Sequence, residues 1–341
     1  MYLFGNHVIG KSLGFCLVLL TFSTPADASD RGQRAAAIPS ASLSPDEPPP
    51  QRQSFFARGL KALEDKKHAE ALELFENAAA STDIHQHSLA WLSAQFQVCQ
   101  TLNLLGQKTG AIAKAKETFS ACERHLGMED PLTSEAMSHL AFLLRQSGRL
   151  KEAEPVYAKN LAHLEDRHGD DSFFAAYARA RLANLLMALG RLDEAEKLHR
   201  SSLLAVQTNL EQEARADHCF FITHLGYCLH IRGKAGEAAA LMNQGYDIMK
   251  GADALAFTNA GSTLRRQAEY FRDAHQLDKA RQAGKLCLEW VARKGDADRI
   301  HFFYHDSVQQ LYRSILDADG LKAHEIDNHV AELEQKARGR N

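Results

Sequence analysis

Histidine is the residue type in this chain that most readily suggests chemistry, because an imidazole binds metals and transfers protons near neutral pH. The chain holds 17 histidines. Two groups have a spacing that suits a metal: His301 with His305, and the cluster Asp83, His85 and His87. Neither group has the glutamate of an HExxH motif or a further ligand close in sequence. We therefore predict no metal site and interpret these histidines as solvated side chains at helix ends.

Neighbouring carboxylates are the second possible source of chemistry. Glu152 with Glu154, and Asp193 with Glu194 and Glu196, fall at the starts of predicted helices, where negative charge stabilises the helix dipole. Glycine-rich phosphate or dinucleotide loops are lacking, as is a Gly-x-Ser-x-Gly elbow. The sequence thus predicts no catalytic residue, no cofactor and no enzyme. An enzyme with a site hidden between helices stays as the less favoured alternative.

A repeat of small residues along the chain predicts the helices that would position any functional site. Alanines recur at intervals of 40 to 43 residues, and a turn residue lies five positions before each of them, most often glycine. The alanines are Ala71, Ala111, Ala153, Ala195, Ala238 and Ala280. The turn residues are Lys66, Gly106, Gly148, Gly190, Gly233 and His275. A period of this length is typical of helical repeat arrays.

The third repeat shows how one period divides into two helices. Apolar residues from Ala136 to Leu144 recur at helical spacing, and Gly148 then suits the left-handed conformation that ends a helix. A second helix is predicted from about Leu150, with Ala153 on its inner face. Because two closely crossing helices leave room only for a small side chain, the alanines are predicted to be packing residues.

These residues resemble the tetratricopeptide repeat (TPR) family. The pattern is carried by Leu140-Ala141, Leu144, Gly148, Ala153 and Tyr157, and it returns in the two following repeats. The strings GRLKEAEPVY and GRLDEAEKLH and the 42-residue spacing are similar to the kinesin-light-chain subclass. The resemblance implies an all-α, right-handed superhelical solenoid of about six TPR helix pairs, residues 54–297, followed by a C-terminal helical cap, residues 298–338.

In this family the first helix of each pair lines the concave groove, so the resemblance also implies a set of partner-binding residues. They are Phe96, Asn103, Phe142, Arg145, Tyr177, Arg181, Asn184, His224, Tyr227, Arg265, Arg266 and Glu269. Aromatic residues and arginine are the types that anchor protein interfaces. Arg265 and Arg266 are expected to engage a carboxylate, so we expect acidic groups of the partner toward the C-terminal half.

The N-terminal residues predict export. Residues 1–28 read as a signal peptide, with a short apolar run, Ser12–Phe22, and small residues Ala26 and Ala28 before a cut at Ser29. An uncleaved anchor is the alternative. The run is too short to span a bilayer, so we expect no integral membrane span after cleavage. Residues 29–53, rich in proline and serine, are predicted to be a disordered tether. Absence of Asn-x-Ser/Thr sequons favours a bacterial, periplasmic or secreted protein.

The mature chain would keep five cysteines, which we interpret as small buried residues rather than disulfide partners. A net charge of −3 and a pI near 6.6 argue against nucleic acid as a partner. The sequence as a whole predicts a non-catalytic scaffold that binds a peptide or protein in the groove. A subunit of a bacterial envelope assembly, for secretion, pilus or outer-membrane biogenesis, is the alternative. The sequence sets no oligomeric state.

Overall fold

The computed structural model describes residues 50–209, 215–251, 259–297 and 302–338. Within these ranges the chain forms fourteen helices and no strand, which confirms the all-α prediction. The helices are α1 Pro50–Glu64, α2 His68–Ala80, α3 Ser88–Leu104, α4 Lys108–His125, α5 Pro131–Gln146, α6 Leu150–His168, α7 Phe173–Ala188, α8 Leu192–Asn209, α9 Arg215–Ile231, α10 Ala235–Gly251, α11 Ala260–Asp273, α12 Leu277–Ala297, α13 Phe302–Ala318 and α14 Ala323–Arg338. The predicted signal peptide, most of the predicted tether and His301 lie outside the described residues.

Each first helix ends in a tight turn that leads into the second helix of its pair. In the third pair Gly148 has a φ of +75°, and Arg149 N donates to Leu144 O at 2.9 Å, so the last carbonyls of α5 are satisfied. Lys66 and His275, which replace glycine in the repeat pattern, adopt the same left-handed conformation with φ of +59° and +55°. The turn geometry therefore recurs even where the residue type that favours it is missing.

The repeated alanines lie where the paired helices meet. Five of the six are fully buried and Ala111 is 1% exposed, as expected for the closest point of a helix crossing. The junctions between pairs also repeat, because Gly127 and Gly169 both have a φ of +86°. At the first of these junctions Asp130 accepts a hydrogen bond from Leu132 N at 2.8 Å and caps α5.

The described chain forms two compact units, one ending at Val156 and the other beginning at Tyr157, so that α6 contributes to both. In the N-terminal unit each helix from α1 to α5 packs on the next one, and α3 also contacts α5. Its core includes Phe75, Leu92, Phe96 and Cys122.

The C-terminal unit holds helices α7 to α14, and each of them packs on the next. The first helices of successive pairs also contact one another, α7 with α9, α9 with α11 and α11 with α13. We refer to the surface of these four helices as the first-helix face. Its core lies beneath α9 and α11, around Phe221, Leu225 and Phe271.

No described helix is both long enough and apolar enough to cross a lipid bilayer.

Candidate functional site

The first-helix face of the C-terminal unit carries a run of aromatic side chains that begins on α7. Tyr177 stacks on Phe173, with ring centroids 6.3 Å apart, and its ring lies 5.2 Å from that of Phe220 on α9. The guanidinium of Arg181 lies over the Tyr177 ring at 5.5 Å. The two predicted residues Tyr177 and Arg181 thus form one half-buried, cation–π-stabilised pair.

Tyr177 also reaches across α9 to the start of α11. Its hydroxyl donates to Asn259 Oδ1 at 2.9 Å, and the backbone carbonyl of Asn259 accepts from Thr263 Oγ1 at 3.0 Å. Sequence reasoning missed Asn259, because the contact joins residues 82 positions apart and the family pattern places no partner-binding residue there. Asn259 therefore fixes the Tyr177 side chain and ties α7 to the residue that precedes α11.

His224 and Asn184 lie below this bridge. His224 is 4% exposed, and its Nδ1 lies 3.1 Å from Asn184 Oδ1. Because an amide oxygen only accepts, the histidine nitrogen is the donor. The ring of His224 packs on Phe220 at 4.2 Å. The structure therefore places His224 in the floor of the face, where it orients Asn184, rather than at its surface.

His199 on α8 lies under the same floor and was not among the predicted residues. It is 1% exposed, its ring centroid is 6.2 Å from that of His224, and neither of its ring nitrogens has a hydrogen-bond partner among the described residues. Burial, with a smaller contribution from the positive charge of Arg266, lowers the pKa of His199 to about 3. His199 is therefore neutral at physiological pH.

Four predicted residues converge between α9 and α11. Arg265 Nε donates to Glu269 Oε1 at 2.9 Å, and Arg266 Nη1 donates to Glu269 Oε2 at 3.0 Å. Arg266 also lies over the ring of Tyr227 at 4.2 Å. Burial alone would raise the pKa of Glu269, but the two arginines outweigh that effect and the pKa lies below its ordinary value. Arg265 further approaches Ser307 Oγ on α13, at 3.5 Å.

The arginines do engage a carboxylate, as their type suggested, but in this structure the carboxylate belongs to Glu269 of the same helix. Burial raises the pKa of the Tyr227 hydroxyl, so this tyrosine stays protonated beside them. Together the cluster of Arg265, Arg266 and Glu269 has a net charge of +1, and the aromatic ring of Tyr227 lies against it.

The predicted residues of the N-terminal unit form separate contacts of their own. Phe96 on α3 packs against His139 of α5, with ring centroids 4.3 Å apart, and is 5% exposed. Asn103 Nδ2 lies 3.4 Å from Gln146 Oε1, and Arg145 lies over the ring of Phe142 at 5.6 Å. The first two contacts link α3 to α5, and the third lies within α5.

The residues that suggested chemistry have structural roles where they are described. Asp83 Oδ1 accepts from His85 N at 2.7 Å, Glu152 pairs with Arg149 at 2.6 Å, and Glu194 pairs with Arg191 at 2.6 Å. Among the described residues no group of three histidine, cysteine or acidic side chains has a metal-binding arrangement.

The cysteines of the described chain are all buried and free, as the sequence predicted. They are Cys99, Cys122, Cys219, Cys228 and Cys287. Burial raises the pKa of Cys228 to about 11 and that of the other four to about 12, so none is a thiolate at neutral pH.

Comparison with known proteins supports the repeat assignment. Residues 132–207 match the sequence profile of the family described as tetratricopeptide repeat. No curated protein sequence matches the chain.

Three solved structures share the fold, each with a TM-score of 0.50. BtubC (BKLC) from P. vanneervenii is 17% identical, and the match covers 58% of this chain and 80% of that one. A putative kinesin light chain from Podosopora anserina with nearly identical TPR-like repeats is 20% identical, over 61% of this chain and 99% of that one. The Rap conjugation gene regulator of plasmid pLS20, solved with the Phr* peptide, is 13% identical, over 84% of this chain and 74% of that one. The fold is thus an all-helical, TPR-like array of helix pairs.

Proposed function

We propose that this chain is a non-catalytic scaffold whose C-terminal first-helix face binds a segment of another protein. The observation that carries the proposal is the row of half-buried aromatic and arginine side chains on α7, α9 and α11, namely Tyr177, Arg181, Tyr227, Arg265 and Arg266. These residue types supply most hot spots of protein interfaces. Here their side chains are held by neighbouring contacts, so little conformational entropy is lost on binding.

The chemistry of the face favours a polar, acidic segment rather than an apolar one. Its apolar floor, Phe220 and His224, is buried, whereas the accessible groups are arginine, tyrosine and the amide of Asn184. An amide both donates and accepts, so Asn184 suits a peptide backbone, and the arginines suit carboxylates. The Rap regulator, which shares the fold, was solved in complex with the Phr* peptide, which supports a peptide-binding role for an array of this kind.

Export is a separate proposal that depends on residues 1–28, and it would place the partner in the periplasm or outside the cell. Sequencing the N-terminus of the protein purified from its host tests it, because cleavage at the predicted site leaves Ser29 first. No observation in the structure favours the alternative of an envelope-assembly subunit.

Site-specific photo-cross-linking in intact cells tests the binding proposal. A cross-linker at Asn184, on the same face of α7, should capture one defined protein, whereas a cross-linker at Lys197, exposed on the second helix α8, should not. Tyr177→Ala combined with Arg181→Ala should abolish this capture. Lys197→Ala combined with Gln207→Ala, both exposed on α8, is the matched control and should leave it intact. Equal capture from both positions, or capture that survives the first double variant, would refute the proposal.

A further inference from the structure

The arginines of the proposed face already hold a carboxylate. Glu269 lies three positions from Arg266 and four from Arg265 on α11, and each of its oxygens accepts one guanidinium hydrogen bond, at 3.0 Å and 2.9 Å. One arginine on each oxygen is the arrangement that a ligand carboxylate would receive between two such side chains. Glu269 therefore stands in the position that an incoming acid would need.

Accessibility differs between the partners of this cluster. The arginine side chains are 33% and 29% exposed, and Glu269 is 13% exposed. A solute can thus reach the guanidiniums from the face while the glutamate stays mostly covered. The glutamate is tethered to the same helix, so its effective concentration at the arginines is high, and a free acid has to compete with it.

We infer that Glu269 is a specificity-determining residue of the first-helix face: it acts as an internal ligand, and a partner binds by replacing it with a carboxylate of its own. The inference rests on the proposed function. It narrows the partner to a protein segment with a carboxylate, because a neutral segment has no group that can take the place of Glu269 on the arginines.

The groups around Glu269 predict a second observable, the uptake of protons when a partner binds. Glu269 faces Tyr227 from α9, Cys287 from α12 and, through Arg265, Ser307 from α13, and none of these groups is cationic. Once the arginines bind a partner's carboxylate, Glu269 loses its hydrogen bonds to them and shares their charge with a second acid, so burial favours its protonated form. Ligand binding should then take up protons and become tighter as the pH falls from about 7 to about 5, above the ordinary pKa of the ligand's own carboxylates.

The test uses the full-length chain and three fluorescent decapeptides measured by anisotropy. The first alternates Glu and Ser and has an amidated C-terminus, the second replaces Glu by Gln, and the third is the Gln peptide with a free C-terminal carboxylate. Glu269→Gln should bind the acidic peptide about tenfold more tightly than the wild type, the scale of one unit charge at about 6 Å in a partly solvated site. It should also lose the proton uptake, measured by calorimetry in buffers of different ionisation enthalpy.

Asp273→Asn is the matched control, since it removes one negative charge from the end of the same helix, where Asp273 pairs with Arg272 at 2.9 Å. It should change the affinity less than twofold, and thermal unfolding of both variants shows that they are folded. Comparing the first and third peptides shows whether the carboxylate is a side chain or a chain terminus.

The possible outcomes distinguish the role of Glu269 as an internal ligand from the proposed binding of a protein segment by the first-helix face. If the wild type binds an acidic peptide and Glu269→Gln binds it equally or less tightly, or Asp273→Asn gains as much, the inference is wrong and the binding proposal stands. If neither the wild type nor Glu269→Gln binds either acidic peptide, both the inference and the acidic partner are wrong.

Discussion

Glu196 on α8 and Glu269 on α11 are both largely covered carboxylates that bind arginine, yet their partners are placed differently. Glu196 is 7% exposed and accepts from Lys234 at 2.8 Å and from Arg200 at 2.8 Å, and it also pairs with Arg232. Lys234 and Arg232 lie in the turn between α9 and α10. The arginines that Glu269 binds instead lie on its own helix.

This difference indicates which cluster serves the fold and which can serve a partner. The Glu196 cluster joins the second helix of one pair to the turn of the next, so its loss should loosen the packing of helix pairs. The Glu269 cluster joins successive turns of one helix, which the backbone already holds together. The local cluster can therefore exchange its carboxylate at little cost to the fold.

Stability measurements test the difference between the two clusters most directly. Glu196→Gln should lower the free energy of unfolding by about 3 kcal/mol, because it leaves three cations around a covered site without their carboxylate. Glu269→Gln should lower it by less than about 1 kcal/mol, because Arg265 and Arg266 can turn to solvent. Urea denaturation at pH 7 gives both values. Equal losses would remove the distinction between the two clusters.

The pH dependence of the free energy of unfolding tests whether the ion pairs of Glu196 cause the stability loss in Glu196→Gln. Burial alone would raise the pKa of Glu196, but hydrogen bonds from Lys234 and Arg200 hold it at about 2. A carboxyl with a lowered pKa stabilises the fold above its unfolded pKa and loses that contribution as the pH falls through its folded pKa. The difference in free energy of unfolding between the wild type and Glu196→Gln should therefore be largest near neutral pH and shrink from about pH 4.5 toward pH 2.

The second prediction concerns His199, which lies one turn from Glu196 on α8 and under the floor of the first-helix face. With a folded pKa of about 3, His199 stays neutral while the unfolded chain binds a proton below about pH 6.5, so stability falls as the pH falls. The free energy of unfolding should therefore be about 2 kcal/mol lower at pH 5 than at pH 7 because of this group. His199→Phe should abolish that loss.

Chemical denaturation at pH 7 and pH 5 measures this difference. His324→Gln, at an exposed position on α14, is the control and should keep the wild-type pH dependence. If His199→Phe lost as much stability between the two pH values as the wild type, His199 would not be the buried neutral group that the structure indicates.

The third prediction, with the smallest expected effect, concerns substitutions in the turns, which should change the stability of the helix array but not binding at the first-helix face. His275→Gly should raise the free energy of unfolding by about 1 kcal/mol, because histidine is strained at a φ of +55°. Gly148→Ala should lower it by about 1 kcal/mol through backbone strain alone, since an added Cβ would meet no atom within 4 Å. Neither variant should change the affinity for the acidic peptide. A change would show that the turns influence the face.

Residue spacing predicted the framework well, because each rule it uses is local and repeated. A small residue at each helix crossing and a left-handed residue at each turn placed the helix pairs. The contact of Glu269 with its arginines follows from the same local spacing and could have been predicted from it. The bridge from Tyr177 to Asn259 and the position of His199 could not, because they depend on how helices from different pairs approach one another in space.

The buried thiols give the molecule a built-in set of probes. Cys99 and Cys122 lie in α3 and α4, whereas Cys219, Cys228 and Cys287 lie in α9 and α12. A covered, protonated thiol reacts with alkylating reagents only when its surroundings open transiently. The order in which these five sites are labelled, read by mass spectrometry, would therefore rank the helix pairs by their local opening. A cysteine introduced on the surface could be labelled selectively without removing any of them.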